Sequence, residues 1–316
     1  MSNKDTYREL CAAESTIPLF SQDWWLDCVC GEDKWDVLLV EKNGVIEACF
    51  PFYMPVSKMI SMPLLTQTMG IWFNPAFMLP NYSKELLRKQ RICEELIQQL
   101  PKFSNFLQNF HHSFTDWLPF YWAGFKQTTR YTYILHDIVD KENLWNRLNN
   151  DARRNIQKAN NKYGLQIRQQ VPVRDYLKII AKTYARQGRK PDHTGVLKSL
   201  IEVAVSRKQG NIWGAYDSEN RLHAALFVVW QKDCAYLLSS GGDPELRKSG
   251  GKSLALWQAF HDFPEEVTSF DFEGSMVKNI EHYNREFGAI QTPYFSISKG
   301  KMGLWQRGIL FLKSRY

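Results

Sequence analysis

Two strand-length apolar runs flank a turn signal between Trp35 and Val56. WDVLLVE, an Asn43-Gly44 turn and VIEACFPFYMPV predict two antiparallel strands, because Asn-Gly supplies the positive φ of a two-residue hairpin turn. Further extended chain is expected over roughly 58–73, ending at Asn74-Pro75. The period then changes. Leu86, Leu87, Cys93, Leu96 and Ile97 predict an amphipathic helix over 83–100, stopped by Pro101. A strand over 103–110, a short helix over 116–125 and a strand over 128–135 complete this half.

Near Asp137 the pattern resets. Leu144, Leu148, Ala152, Ile156, Ala159 and Tyr163 recur every three or four residues and predict one long helix ending at Gly164. Helices follow over 174–186 and 194–207. NIWGAYD, a Glu219-Asn220 turn, RLHAALFVVWQ and CAYLLSSGG then predict three adjacent strands. They feed a glycine-rich basic turn, Arg247 to Ser253, that opens a helix; a strand through FDFEG and a helix through EHYNREFG come next. Each half thus has an aromatic strand, a turn, two more strands and a helix, the mark of a divergent structural repeat. Domains are expected over 1–137 and 138–298, with a closing helix over 299–316 packed back on the first.

Composition narrows the class. At 316 residues with 44% hydrophobic and 14% aromatic positions, including 11 Trp, the chain has ample core and is not disordered. Apolar runs such as 224–230 are strand-sized, too short to span a bilayer. MSNKDTYREL has no apolar run after its charges, so no signal peptide is expected. Six cysteines without a CxxC pair or matching His spacing read as reduced packing residues, and no metal is expected. A cytoplasmic protein follows. Its net charge of +7 suits an anionic ligand: a nucleotide, coenzyme A, transfer RNA or an anionic lipid surface. The tail KGKMGLWQRGILFLKSRY suits either a packed helix or peripheral membrane contact.

Candidate chemistry concentrates in the second half. The turn at Arg247-Lys248-Ser249-Gly250-Gly251-Lys252-Ser253 places free N–H groups and the positive end of a helix dipole where an anion can sit. It reads equally as a loop with Ser249 as N-cap. It is not a P-loop, since Leu246 stands where the first glycine belongs. Arg154 and Lys158 share a helix face that Lys162 continues, with Arg153 beside them; the row is either an anion track or a solvated surface. Asp271 and Glu273 alternate with Phe270 and Phe272, so both carboxylates should face one side of a strand, to act on an amine or to form salt bridges. Tyr283 is either core or a donor to a leaving group. His193 and His282 read as lone structural or surface residues, and His111-His112 has no identifiable partner.

Arg247-x-x-Gly250-Gly251-Lys252 is similar to the coenzyme A loop, Q/R-x-x-G-x-G/A, of GNAT acetyltransferases. Together with RRNIQKANNKYGLQI, the hairpin and FDFEGSM…IEHYNREFGAIQTPY, in that order, it resembles the FemAB-like branch of the GNAT superfamily. The likeness is strongest over 151–294 and extends to LFSQDWWLDCV near the start. It implies an α/β (α+β) fold of two tandem GNAT-like domains, each a mixed, mostly antiparallel sheet flanked by helices. It also implies an N-acyltransferase that moves an acyl or aminoacyl group from acyl-CoA or aminoacyl-tRNA to an amine, with a cell-envelope precursor among the acceptors. Arg247, Ser249, Gly250, Gly251, Lys252 and Ser253 would then hold the donor, with Arg153, Arg154, Lys158 and Arg285 on phosphate. Asp271, Glu273 and Tyr283 would carry the chemistry. Two positions depart from the pattern: Lys252 replaces a small residue, and Asn284 stands where the family has a basic residue, so that Arg285 would substitute from one place over. Both fit a non-catalytic binding or scaffold protein of the same fold.

Overall fold

A computed structural model describes residues 2–189, 193–274 and 276–300. By their contacts the described residues divide into two units, one of residues 2–131 with 293–300, the other of those between 132 and 292. The expected closing helix falls outside the described residues from 301 onward; residues 299 and 300 end a strand.

The first unit opens with α1 (Asn3–Ala13), whose Ser2 and Asp5 cap each other's backbone, and α2 (Asp23–Cys30). The hairpin β1 (Trp35–Lys42) and β2 (Val45–Val56) turns through Asn43 and Gly44, with φ of 53° and 76°. Of the extended chain expected over 58–73, only β3 (Met59–Ser61) and β4 (Trp72–Phe73) are strands. Then come α3 (Tyr82–Gln99), β5 (Asn105–Asn109), α4 (Leu118–Trp122) and β6 (Lys126–Leu135).

The second unit contains α5 (Lys141–Arg147), α6 (Asn150–Gln157), β7 (Gln166–Gln169), α7 (Val173–Arg186) and α8 (Thr194–Ser206). The meander β8 (Gly210–Tyr216), β9 (Leu222–Gln231) and β10 (Cys234–Gly242) leads to α9 (Gly251–Asp262), β11 (Ser269–Asp271), α10 (Lys278–Glu286) and β12 (Ile290–Gly300).

The single helix expected from Leu144 to Gly164 is three pieces. Leu148 is extended, and the Asn149 side chain accepts the Ala152 N–H, a cap that restarts the helix as α6. From Lys158 to Lys162 the backbone widens to a π-helix. Leu144, Leu148, Ala152, Ile156 and Ala159 are all buried, so the apolar spacing survives the break.

The sheets share one plan. In the first unit, which includes β12 from Pro293 on, the order is β1-β2-β3-β5-β12, with β4 on β2, and every resolved pairing is antiparallel except β3 with β5. In the second, which includes β6 from Thr132 on, it is β6-β11-β10-β9-β8-β7, antiparallel except β10 with β11. Each is a three-strand meander, a helix, a parallel strand and then an antiparallel one. This is the repeat that the sequence pattern predicts. Phe50, Phe106, Phe110 and Phe120 centre the first core. In the second, Leu226, Val228, Leu237 and Phe270 pack with α9 on one sheet face, while α7 covers the other, with Tyr176 against Phe227.

Candidate active site

β10 loses one neighbour halfway along. Its register with β11 runs only from Cys234↔Ser269 to Tyr236↔Asp271, whereas β9 accompanies it to Gly242↔Ala224. Leu238 is extra between the pairs Leu237↔Val228 and Ser239↔Phe227, a bulge that bends the strand where the pairing stops. The six residues from 237 to 242 thus border a wedge, roughly 20 Å long at strand spacing.

Asp271 stands at the apex of this wedge and is buried. Phe270 and Phe272 pack in the α9 core, so alternation turns Asp271 to the α7 face, alongside its register partner Tyr236. The Thr132 hydroxyl and, at 2.7 Å, the Glu273 N–H both donate to Asp271 Oδ1. Glu273 itself is not on the strand. β11 ends at Asp271, and Glu273 has a φ of 56°, so a side-chain turn on Asp271, not strand alternation, sets its place. Its Oε1 is buried with no hydrogen-bond partner. Burial pushes the Glu273 carboxyl well above the usual carboxylate range, and the neighbouring Asp271 adds to the rise.

Lys252 and Tyr283 meet on α9 and α10. Lys252 Nζ lies 4.1 Å from the centre of the Tyr283 ring, and that ring packs on Phe287, 5.2 Å away. The Tyr283 hydroxyl is buried without a hydrogen-bond partner. Burial pushes its phenol up, Ser253 acts against the shift, and Glu286 adds to it. Burial also lowers Lys252 to about 8.

At the turn, Arg247 and Lys248 are exposed and Ser249 and Ser253 are buried. Gly250 has a φ of 82°, and a Cβ there would stand 2.3 Å from the Asn155 carbonyl oxygen. A Cβ on Gly251 would sit 3.1 Å from that of Ala215. The two glycines therefore let α9 seat against α6 and β8. The Gly251 N–H donates to Ser249 Oγ at 3.3 Å, so one amide of the helix start is already engaged.

The expected phosphate contacts have partners of their own. Arg154 is paired with Asp151, Arg285 with Glu281 at 3.0 Å, and Arg153 donates to the Asn146 carbonyl at 2.8 Å. Lys158 donates to Asn155 Oδ1 at 3.1 Å, and the π-turn beginning there breaks the four-residue row that Lys162 was expected to continue. His282 is not alone. It faces Glu286 Oε1 at 3.2 Å, and with Asp151 these residues bring three ligand-type atoms within 4.8 Å. The six cysteines are free thiols. No helix among the described residues is long and apolar enough to cross a membrane.

Thr132, Tyr236, Ser239 and Tyr176 were not expected at the site. Burial raises the phenol of Tyr176, which lies near Ser239. No sequence motif marks these four, because they come from β6, α7 and β10, which only the folded sheet and the helix on it bring together.

A three-strand meander leading through a glycine turn and helix to a short parallel strand is the plan of a GNAT fold. Residues 146–285 match a family model described as an acetyltransferase (GNAT) domain. FemX shares the fold across 99% of this chain and 98% of its own, with a TM-score of 0.69 at 10% identity. L-PGS from Bacillus licheniformis covers 99% of this chain and 98% of its own, with a TM-score of 0.56 and 10% identity. A conserved protein of unknown function from Bacteroides thetaiotaomicron VPI-5482 covers 95% and 97%, at 0.58 and 11%. No curated protein matches the sequence significantly. The fold of two tandem GNAT-like domains, expected from the FemAB-like resemblance, is borne out.

Proposed function

We propose that the chain is a cytoplasmic N-acyltransferase of the FemAB-like type. It moves an acyl or aminoacyl group from acyl-CoA or aminoacyl-tRNA to an amine on a small anionic acceptor, with cell-envelope precursors in that class. The end of the β10–β11 pairing carries this reading, because it leaves residues 237–242 of β10 without that neighbour beside the buried carboxyl of Asp271.

The donor carbonyl enters the wedge beside the Leu238 bulge, where backbone N–H groups released from the ladder polarise it. The amine approaches from the Asp271 face, and its nitrogen attacks the carbonyl carbon. Glu273, once ionised, accepts the amine proton, with Asp271 and Thr132 fixing its turn. The C–O or C–S bond to the carrier then breaks, and Tyr283 gives the leaving atom a proton from the α9 face. Arg247 and Lys158 contact donor phosphate, and Ser249, Gly250, Gly251 and Ser253 shape the donor's path.

Thermal-shift titration with acetyl-CoA, longer acyl-CoAs and charged transfer RNA tests the assignment. One donor class should stabilise the wild type, and Arg247→Ala should weaken that effect. No shift with any donor would overturn the reading. The bond between Ser249 and Gly251, with Lys252 in place of a small residue, favours the second reading, a binding or scaffold protein of this fold.

A further inference from the structure

Lys252 is a cation in an expensive place. It lies in the first turn of α9, where the helix dipole disfavours positive charge. It is largely buried, and among the described residues it has no carboxylate partner. The helix start does not offer an open cradle for a resident phosphate: Ser249 takes the Gly251 N–H, and Gly250 faces the Asn155 carbonyl. The group Lys252 does touch is the Tyr283 ring, whose hydroxyl is buried without a partner. A cation over an aromatic face is favoured by the ring, and more so once that ring carries negative charge.

We infer that Lys252 and Tyr283 form one proton-handling pair, in which Lys252 is a positioning residue that stabilises the Tyr283 phenolate formed when the leaving group is protonated. The inference rests on the transferase reading above. In balance, the phenol O–H breaks, its proton goes to the departing oxygen or sulfur, and the phenolate recovers a proton from water after release. Ser253 from α9 and Glu286 from α10 are the other polar groups acting on the phenol. The lowered proton affinity of Lys252 is consistent with a site that holds no standing anion.

Two measurements test it. With whichever donor supports turnover, Lys252→Met should lower kcat by about tenfold or more while donor KM stays within about twofold. Lys252→Arg should restore much of the rate, and Lys252→Met with Tyr283→Phe should be no worse than Tyr283→Phe alone. A raised donor KM at unchanged kcat would make Lys252 a donor ligand and overturn the pair. Independently of any donor, competitive labelling with acetic anhydride reports how each lysine titrates. Lys252 should titrate well below the surface lysines, stay so in Tyr283→Phe, and move by about half a unit or more in Tyr283→Leu. Titration with the surface lysines, or no change in Tyr283→Leu, would overturn the pair even if no donor is found.

Discussion

Gly250 faces the carbonyl oxygen of Asn155 so closely that a Cβ at Gly250 would stand 2.3 Å from it, at a backbone φ of 82°. The contact fixes the start of α9 against α6. Gly250→Ala should therefore lose about 2–3 kcal/mol of stability, from the left-handed conformation and the clash together. Urea unfolding measures it. A loss under about 0.5 kcal/mol would mean that α9 is not seated on α6 as described.

The carboxyl of Glu273 gives the protein a definite pH response. Its folded pKa is raised, so the folded state holds a proton that the unfolded chain releases once pH passes the ordinary carboxylate value. Its contribution is complete below that value and is lost as pH rises toward the folded pKa. Glu273→Gln has no proton to lose there, so its stability should fall less steeply between about pH 5 and pH 8 than that of the wild type. Denaturant midpoints across that range compare the two. Parallel curves would show that Glu273 is solvated.

Thr132 holds Asp271 from a strand far away in sequence. Thr132→Val keeps the shape and removes the donor, so it should cost about 1–3 kcal/mol, as expected when a buried acceptor loses its partner. If Asp271 positions Glu273, activity should also fall. Stability and rate that both match wild type would remove Thr132 from the site.

Arg154 and Arg285 lie on the surface in pairs with Asp151 and Glu281. Exposed pairs of this kind are worth about 0–1 kcal/mol. Arg154→Ala and Arg285→Ala should leave stability nearly unchanged and donor affinity within about twofold. A tenfold loss of affinity would return these residues to the donor's phosphates.

Much of this architecture is legible in the sequence, for a reason. Asn43-Gly44, the two meanders and the apolar period of α3 are local signals, and local chemistry decides them. The same holds for the buried spacing from Leu144 to Ala159, which the Asn149 cap splits without disturbing. The site was less legible. Alternation suggested that Asp271 and Glu273 share a strand face, but the strand ends between them and a turn sets Glu273. The glycines of the 247–253 turn looked like room for a ligand, whereas Asn155 and Ala215 fill the space beside them. Those facts belong to elements far apart in sequence, and no local pattern encodes them.

If the β10–β11 wedge is an acyl-transfer site with Glu273 as its base, a simple amine should be acylated there. Hydroxylamine is a small amine that needs no specific acceptor pocket. With labelled acyl-CoA or aminoacyl-tRNA as donor, the wild type should form hydroxamate above the uncatalysed background. Glu273→Gln should lower that rate by about 10²-fold or more while still binding the donor. Equal rates for the two proteins, or no hydroxamate above background from any donor, would contradict the account.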